Sequence, residues 1–183
     1  MRILIAYGSK YGSTAEVVNE LTSVLEGKGH DVETVDLKRP YKGPLDGFDM
    51  VVVGSPVIAG NWLRGPKNFL KQRADELKRL RLAVFHCGSR PYFEKEGEQA
   101  YDRRYGDDIL AEYGLESSHI AYLGGVFDFQ RYSLVIRKLL TKMGVARTLE
   151  ENGFDPTGPC DLRDWDAIRA WADEIVWDVR TSE

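Results

Sequence analysis

The apolar positions of the chain fall into short unbroken runs, separated by longer segments in which they recur at helical spacing. Arg2–Tyr7 is an apolar run closed by Gly8, the pattern of a strand buried on both faces. From Ser13 onward Val17, Val18, Leu21, Val24 and Leu25 form a stripe at helical period. Ser13 and Glu16 have capping-box spacing at its start, and Gly27 and Gly29 end it. Asp31–Asp36 alternates like a half-buried strand near a sheet edge, whereas Met50–Gly54 is apolar throughout and predicts a central strand. Pro66 suits the first turn of a second helix whose inner face is Phe69, Leu70, Ala74, Leu77 and Leu80. Leu82–His86 predicts a fourth strand, and Tyr101, Tyr105, Ile109 and Tyr113 a third helix. Ile120–Gly125 predicts a fifth strand. The last helix runs from Asp164 to Val179, with Trp165, Ile168, Ala172, Ile175 and Val179 on one face.

Strands alternating with helices specify βαβ units, hence a doubly wound α/β domain with a parallel sheet and helices on both faces. The 183 residues contain no internal repeat and no low-complexity linker, so one domain spanning 1–183 is expected. A formal net charge of −4 does not call for a nucleic-acid partner, and no apolar run approaches the roughly 20 residues that span a bilayer. No signal-peptide pattern follows Met1, so a cytoplasmic location is expected. Cys87 and Cys160 lie far apart and the three histidines are scattered, so no metal site is expected and the cysteines read as free thiols.

Ligands of an open parallel sheet bind beyond the carboxyl ends of the strands, where strand order reverses. Three loops there carry candidate chemistry. Between strand one and helix one lie Ser9, Lys10, Tyr11, Gly12, Ser13 and Thr14, a stretch matching neither GxGxxG nor GxxxxGK[ST]. It offers hydroxyls, a flexible glycine and the amides of a helix N-terminus, good donors for a phosphate monoester. The simpler alternative is a capping Ser13 and a turn-filling Ser9. After strand three come Ser55, Pro56, Val57, Ile58, Ala59, Gly60, Asn61 and Trp62. Gly60 permits close approach, and Trp62 either walls a planar ring or packs under the loop. After strand four, Cys87, Gly88 and Ser89 are small enough to let backbone groups meet the polar edge of such a ring. Cys87 has no identifiable general base beside it and reads as a buried, inert thiol.

The segment Ser9–Thr14, with Tyr7 ahead of it, resembles the flavodoxin phosphate-loop signature, Val18 standing where that signature usually has a small residue. Within this flavodoxin-like superfamily the chain is most similar to the menaquinone-linked protoporphyrinogen IX dehydrogenases. The likeness extends through Val53–Gly60, Gly124–Tyr132, Lys138–Met143 and Asp164–Ile175. The resemblance implies a five-stranded sheet of order 2-1-3-4-5, and FMN held by the three loops just named. It also implies transfer of electrons from a small-molecule substrate to a quinone.

Charge patterning bears on the choice of substrate. The family's counterpart of Arg90–His119 is a long basic insert linked to substrate and membrane engagement. Here the stretch holds four basic residues against eight acidic ones, a formal −4 equal to that of the whole chain. Such a rim suits a basic redox partner protein better than a porphyrinogen's carboxylates or an anionic membrane; its alternative is a solvated helix face. Arg131–Arg147 is the reverse, with five basic residues and no acid among apolar positions. It reads as a helix covering the sheet or one lying peripherally on the inner face of a membrane. Two functions of different class follow: an FMN-dependent oxidoreductase, for which Arg90 and Arg131 are candidate contacts to an anionic substrate, and an electron-transfer protein docking to partners. An NAD(P)H:quinone reductase ranks last, for want of a second nucleotide motif.

Overall fold

A computed structural model describes residues 1–58, 60–88, 103–117, 119–142, 144–151, 153–155 and 157–177. Five parallel strands, β1 (Arg2–Tyr7), β2 (Asp31–Asp36), β3 (Met50–Ile58), β5 (Arg81–Cys87) and β6 (His119–Tyr122), form a sheet of order β2-β1-β3-β5-β6. This is the flavodoxin-like arrangement expected; the numbering shifts because a two-residue strand, β4 (Asn61–Trp62), folds back antiparallel on the end of β3. Side chains alternate across the sheet. Ile3, Ile5, Met50, Val52, Ala83 and Phe85 pack against α1 (Ser13–Gly27) and α7 (Trp165–Trp177). Leu4, Ala6, Val51, Val53, Leu82 and Val84 face α2 (Arg64–Gln72), α3 (Ala74–Leu77) and α4 (Asp108–Ala111). Strand β2 is the polar edge anticipated from its alternation.

Several boundaries differ from expectation. Gly12, with φ of 100°, is the N-cap of α1, and no side chain caps that helix. The expected capping box is therefore absent: the Glu16 carboxylate is drawn to Arg163 instead, 2.7 Å away. The second helix is broken at Arg73, whose guanidinium bonds Glu76 and the Gly43 carbonyl. Of the tyrosine-spaced helix, Tyr105 lies in a π turn (Arg103–Asp107) and Ile109 in α4; Tyr101 lies outside the described residues. β6 ends at Tyr122, before the predicted Gly125, because the chain turns at Gly124.

The sequence pattern anticipated a helix in the basic segment but not the small C-terminal layer it belongs to. A two-stranded antiparallel hairpin pairs β7 (Val126–Phe127) with β8 (Cys160–Asp161). The basic segment forms α5 (Leu134–Lys142) and α6 (Val145–Glu151). Phe127, Val145, Leu149 and Cys160 make its own apolar cluster. Among the described residues, no helix is long and apolar enough to cross a membrane.

Candidate functional site

The carboxyl ends of β1, β3 and β5 converge at the reversal of strand order, where the first two predicted loops and, of the third, Cys87 and Gly88 lie. Beyond β1, the Gly8 amide donates to the Gly54 carbonyl at 2.9 Å. A Cβ at Gly8 would press on Pro66 and Leu63, so the first loop abuts the start of α2. The chain then turns at Gly12, where a Cβ would meet nothing within 4 Å. The Gly12 amide donates to Ser9 Oγ at 3.2 Å, and Glu16 closes the first helical bond onto the Gly12 carbonyl. The N–H groups of Ser13, Thr14 and Ala15 therefore have no partner within the helix and emerge at the positive end of its dipole. Lys10 lies over the Tyr11 ring, 5.2 Å from its centroid.

Beyond β3, Pro56, Val57 and Ile58 prove to be strand residues, not loop. Val57 pairs with Trp62 and Ile58 with Asn61 around the turn at Gly60; Ala59 lies outside the described residues. Trp62 is only 4% exposed and belongs to the core beneath the loop, the second of its two readings. Ser55 Oγ accepts the Leu63 amide and ties the hairpin to α2. Beyond β5, the Gly88 amide donates to the Gly124 carbonyl at 3.2 Å, and the Gly88 carbonyl accepts from Tyr122 Oη at 2.9 Å. Gly88 thus spends its donor inside the protein; Ser89 and Arg90 lie outside the described residues.

Cys87 is 2% exposed. Burial pushes its thiol up to about 12, with the Thr14 hydroxyl and the field of Arg163 partly opposing. Thr14 is thus turned inward, toward Cys87. A thiol with a raised native pKa adds stability below its ordinary value, and that contribution is lost as pH climbs from about 9 toward about 12. At pH 8 native protein is expected to show no fast-reacting thiol towards a chromogenic disulfide reagent, and two after denaturation. A rapid stoichiometric reaction in native buffer would contradict the buried placement.

The C-terminal layer completes the site from the side. Arg131 Nη1 donates to the Tyr11 carbonyl at 2.6 Å, and Tyr132 meets the Tyr11 ring edge-on with centroids 5.7 Å apart. These groups, with Ser13, Glu16 and Val126, border a cleft of about 50 Å³ beside the start of α1. Burial, then Tyr11 and Asp128, push the Tyr132 hydroxyl up to about 12, so it stays a donor at neutral pH. Arg163, its side chain 6% exposed, donates to Glu16, Asp161 and the Ser13 carbonyl.

A family model described as a flavodoxin domain matches residues 4–151. The chain belongs to the flavodoxin domain family. Protoporphyrinogen IX dehydrogenase [quinone] of Escherichia coli strain K12 is 23% identical over 179 residues, covering 96% of this chain and 95% of that protein. The protein of that description from Escherichia coli O157:H7 matches equally. The fold of this flavodoxin domain superposes on the Streptococcus pneumonia TIGR4 flavodoxin with a TM-score of 0.60 at 16% identity, covering 97% and 99% of the two chains. The Fusobacterium nucleatum flavodoxin bound to flavin mononucleotide gives 0.53 at 15% identity, over 98% and 96%.

Sequence reasoning missed Arg163, Tyr132, Tyr122 and Gly124, which touch the candidate loops of this flavodoxin domain. Tyr122, Gly124 and Tyr132 sit in segments quoted for likeness or predicted as a strand, and Arg163 just precedes the last predicted helix. Nothing local announces that Tyr122 and Gly124 meet Gly88, or that Tyr132 and Arg163 meet Tyr11 and Ser13 more than a hundred positions earlier. The one available sign was the absence of any acid between Arg131 and Arg147, which marks cations free to serve other parts of the chain.

Proposed function

We propose that this flavodoxin domain is an FMN-dependent oxidoreductase that takes electrons from a porphyrinogen-like substrate and passes them to a quinone. What carries the reading is the near full-length match to a protoporphyrinogen IX dehydrogenase, which runs through the C-terminal layer as well as the sheet. The residues present fit FMN. Buried Ser9 and Thr14, the open approach at Gly12 and the unpartnered first-turn amides of α1 form a concentration of donors suited to a phosphomonoester. Ser9, Lys10, Tyr11, Gly12, Ser13 and Thr14 would hold that end. Pro56, Val57, Ile58, Ala59, Gly60 and Asn61, with Cys87, Gly88 and Ser89, would flank the ring, and Trp62 would support the turn from below.

The chemistry FMN supplies when bound is reversible uptake of electrons from an organic donor and their delivery to an acceptor. The chain contributes orientation: α1 fixes one end of the site, the β3–β4 hairpin and the β5 loop confine the other. Tyr132 holds its proton at neutral pH and so adds a neutral hydroxyl rather than a phenolate beside the anion site. The neutral Cys87 thiol likewise adds no negative charge.

A second reading, an electron-transfer protein docking to redox partners, is favoured by the acidic residues of 103–116: Asp107 and Asp108 lie where the π turn next to β5 and β6 meets α4, and Glu112 and Glu116 follow that helix. Anaerobic assay of the purified, FMN-saturated protein with protoporphyrinogen IX and a menaquinone analogue separates the two. Turnover that requires both substrates is expected. No turnover, with electron exchange confined to partner proteins, would favour the carrier; protein that stays colourless in excess FMN would end both readings.

A further inference from the structure

Two guanidinium groups from the C-terminal third reach back across more than a hundred residues to main-chain carbonyls at the start of α1, one in the loop before it and one on its first residue. Arg131 donates to Tyr11 O and Arg163 to Ser13 O, at 2.6 and 3.3 Å. In a trans peptide the C=O of one residue and the N–H of the next point in opposite directions. A cation on the Tyr11 carbonyl therefore turns the Gly12 N–H inward, where Ser9 Oγ receives it. A cation on the Ser13 carbonyl likewise keeps the Thr14 N–H aimed out of the open end of the helix. The Gly12 N–H so placed pins the Ser9–Gly12 turn, while the Thr14 N–H joins those of Ser13 and Ala15 at the open end of the helix, where donors serve an anion best when fixed before it arrives.

Both arginines are themselves held. Arg163 is clamped between Asp161 and Glu16, each at 2.7 Å, with its guanidinium 4.4 Å from the Trp165 ring centroid. Arg131 is braced by Asp128 at 3.2 Å. The carboxylates cancel the arginines' net charge, so the main product of the arrangement is geometry rather than field. Arg131, although its side chain is exposed, commits Nη1 to the Tyr11 carbonyl and Nε to Asp128, which gives it a role in the loop.

Resting on the FMN reading, we propose that Arg131 and Arg163 are positioning residues. Arg131 fixes the Ser9–Gly12 turn through the Tyr11 carbonyl and Arg163 fixes the Ser13–Thr14 peptide, and together they hold the first-turn amides of α1 ready for the terminal phosphoryl group, which sets the preference for FMN over riboflavin. Fluorescence titration of Arg131→Met, Arg163→Met and Arg163→Lys with FMN and with riboflavin, each alongside a thermal melt, tests this. The FMN dissociation constant should rise about tenfold or more in either Met variant, as one preorganised hydrogen-bond donor is lost. That for riboflavin should move less than about threefold. Arg163→Lys, which keeps the charge but not the fork between Glu16 and Ser13, should fall between. Parallel loosening of both flavins, or unchanged FMN affinity, overturns the inference while leaving the FMN reading standing. Wild-type protein that takes up neither flavin overturns the FMN reading instead. Should Arg163→Met fail to fold, Arg131→Met, whose side chain is 59% exposed, and Arg163→Lys still decide the matter.

Discussion

Gly124→Ala is expected to destabilise the fold by roughly 3 kcal/mol or more, combining left-handed backbone strain with overpacking against main chain. Gly124 sits at φ +66°, and a Cβ there would come within 2.7 Å of Arg163 Cα and closer still to the Leu162 carbonyl oxygen. Both obstacles are backbone, so no rotamer change relieves them. Neither side of the contact can drift, because Leu123 donates to His86 O at 3.0 Å and Leu162 to Gly125 O at 2.9 Å. Relief requires the C-terminal layer to part from the sheet edge, which draws Arg163 away from Glu16 and Ser13. Gly153→Ala is the control: its φ is +83° but a Cβ there meets nothing within 4 Å, so only strain of about 1 kcal/mol is added. In a chain of this size, thermal unfolding followed by circular dichroism should separate the variants by roughly 5 °C or more. Equal midpoints would show that the seam at Gly124 is not the constraint the geometry makes it.

That seam also marks where the sequence stopped being readable. The central sheet was legible because each strand is a local object: Ile3 to Ala6 and Met50 to Val53 are apolar at every position because both faces are covered. The stripe of α1 and that of α7 were legible for the same reason, since a helix records its buried face at fixed spacing. The loop Ser9–Thr14 stood out because glycine and hydroxyl residues directly follow a buried strand. What failed was everything decided by distant partners. The Ser13–Glu16 spacing predicts a cap, but Arg163, 147 residues further on, takes the Glu16 carboxylate. Trp62 was equally consistent with a ring wall and a core residue, because aromatic identity does not say which face of a short hairpin turns inward. β7 and β8 pair over a gap of more than thirty residues, and two-residue strands leave no periodicity to detect. Nothing local to Arg131, a candidate contact to an anionic substrate, shows that it also bonds the Tyr11 carbonyl and Asp128.

Gly54 was read as the residue closing the third strand, yet the strand continues to Ile58, and its glycine is there for packing. Gly54 and Phe85 are direct partners in the β3–β5 register. A Cβ on Gly54 would lie 2.7 Å from Phe85 Cε2 and nearer to Cζ, so the aromatic ring occupies the space a side chain would need. The ring cannot swing away. Phe85 is fully buried and its other side meets Trp171 edge-on, centroids 5.8 Å apart, within the layer formed by α1 and α7. Phe85→Ala is therefore expected to cost about 4 kcal/mol, the loss of a large core side chain with little collapse around it. Gly54→Ala is expected to cost about 2 kcal/mol through overpacking. The decisive measurement is their combination by urea unfolding. If Gly54 exists to seat the ring, a methyl at 54 should partly refill the space left by Phe85→Ala. The double variant should then be more stable than the sum of the singles by about 1–2 kcal/mol. Strict additivity would mean that the ring and the glycine are neighbours without being complementary, and that Gly54 is needed for some other property of β3. Because the end of β3 and the turn after it form the Pro56–Asn61 segment proposed to flank the flavin ring, the single Gly54→Ala variant also reports on that proposal. A ring pushed toward Trp171 leaves the hairpin in place and FMN affinity within about threefold, whereas a strand pushed out of register moves Val57 and Ile58 and weakens affinity by about tenfold or more.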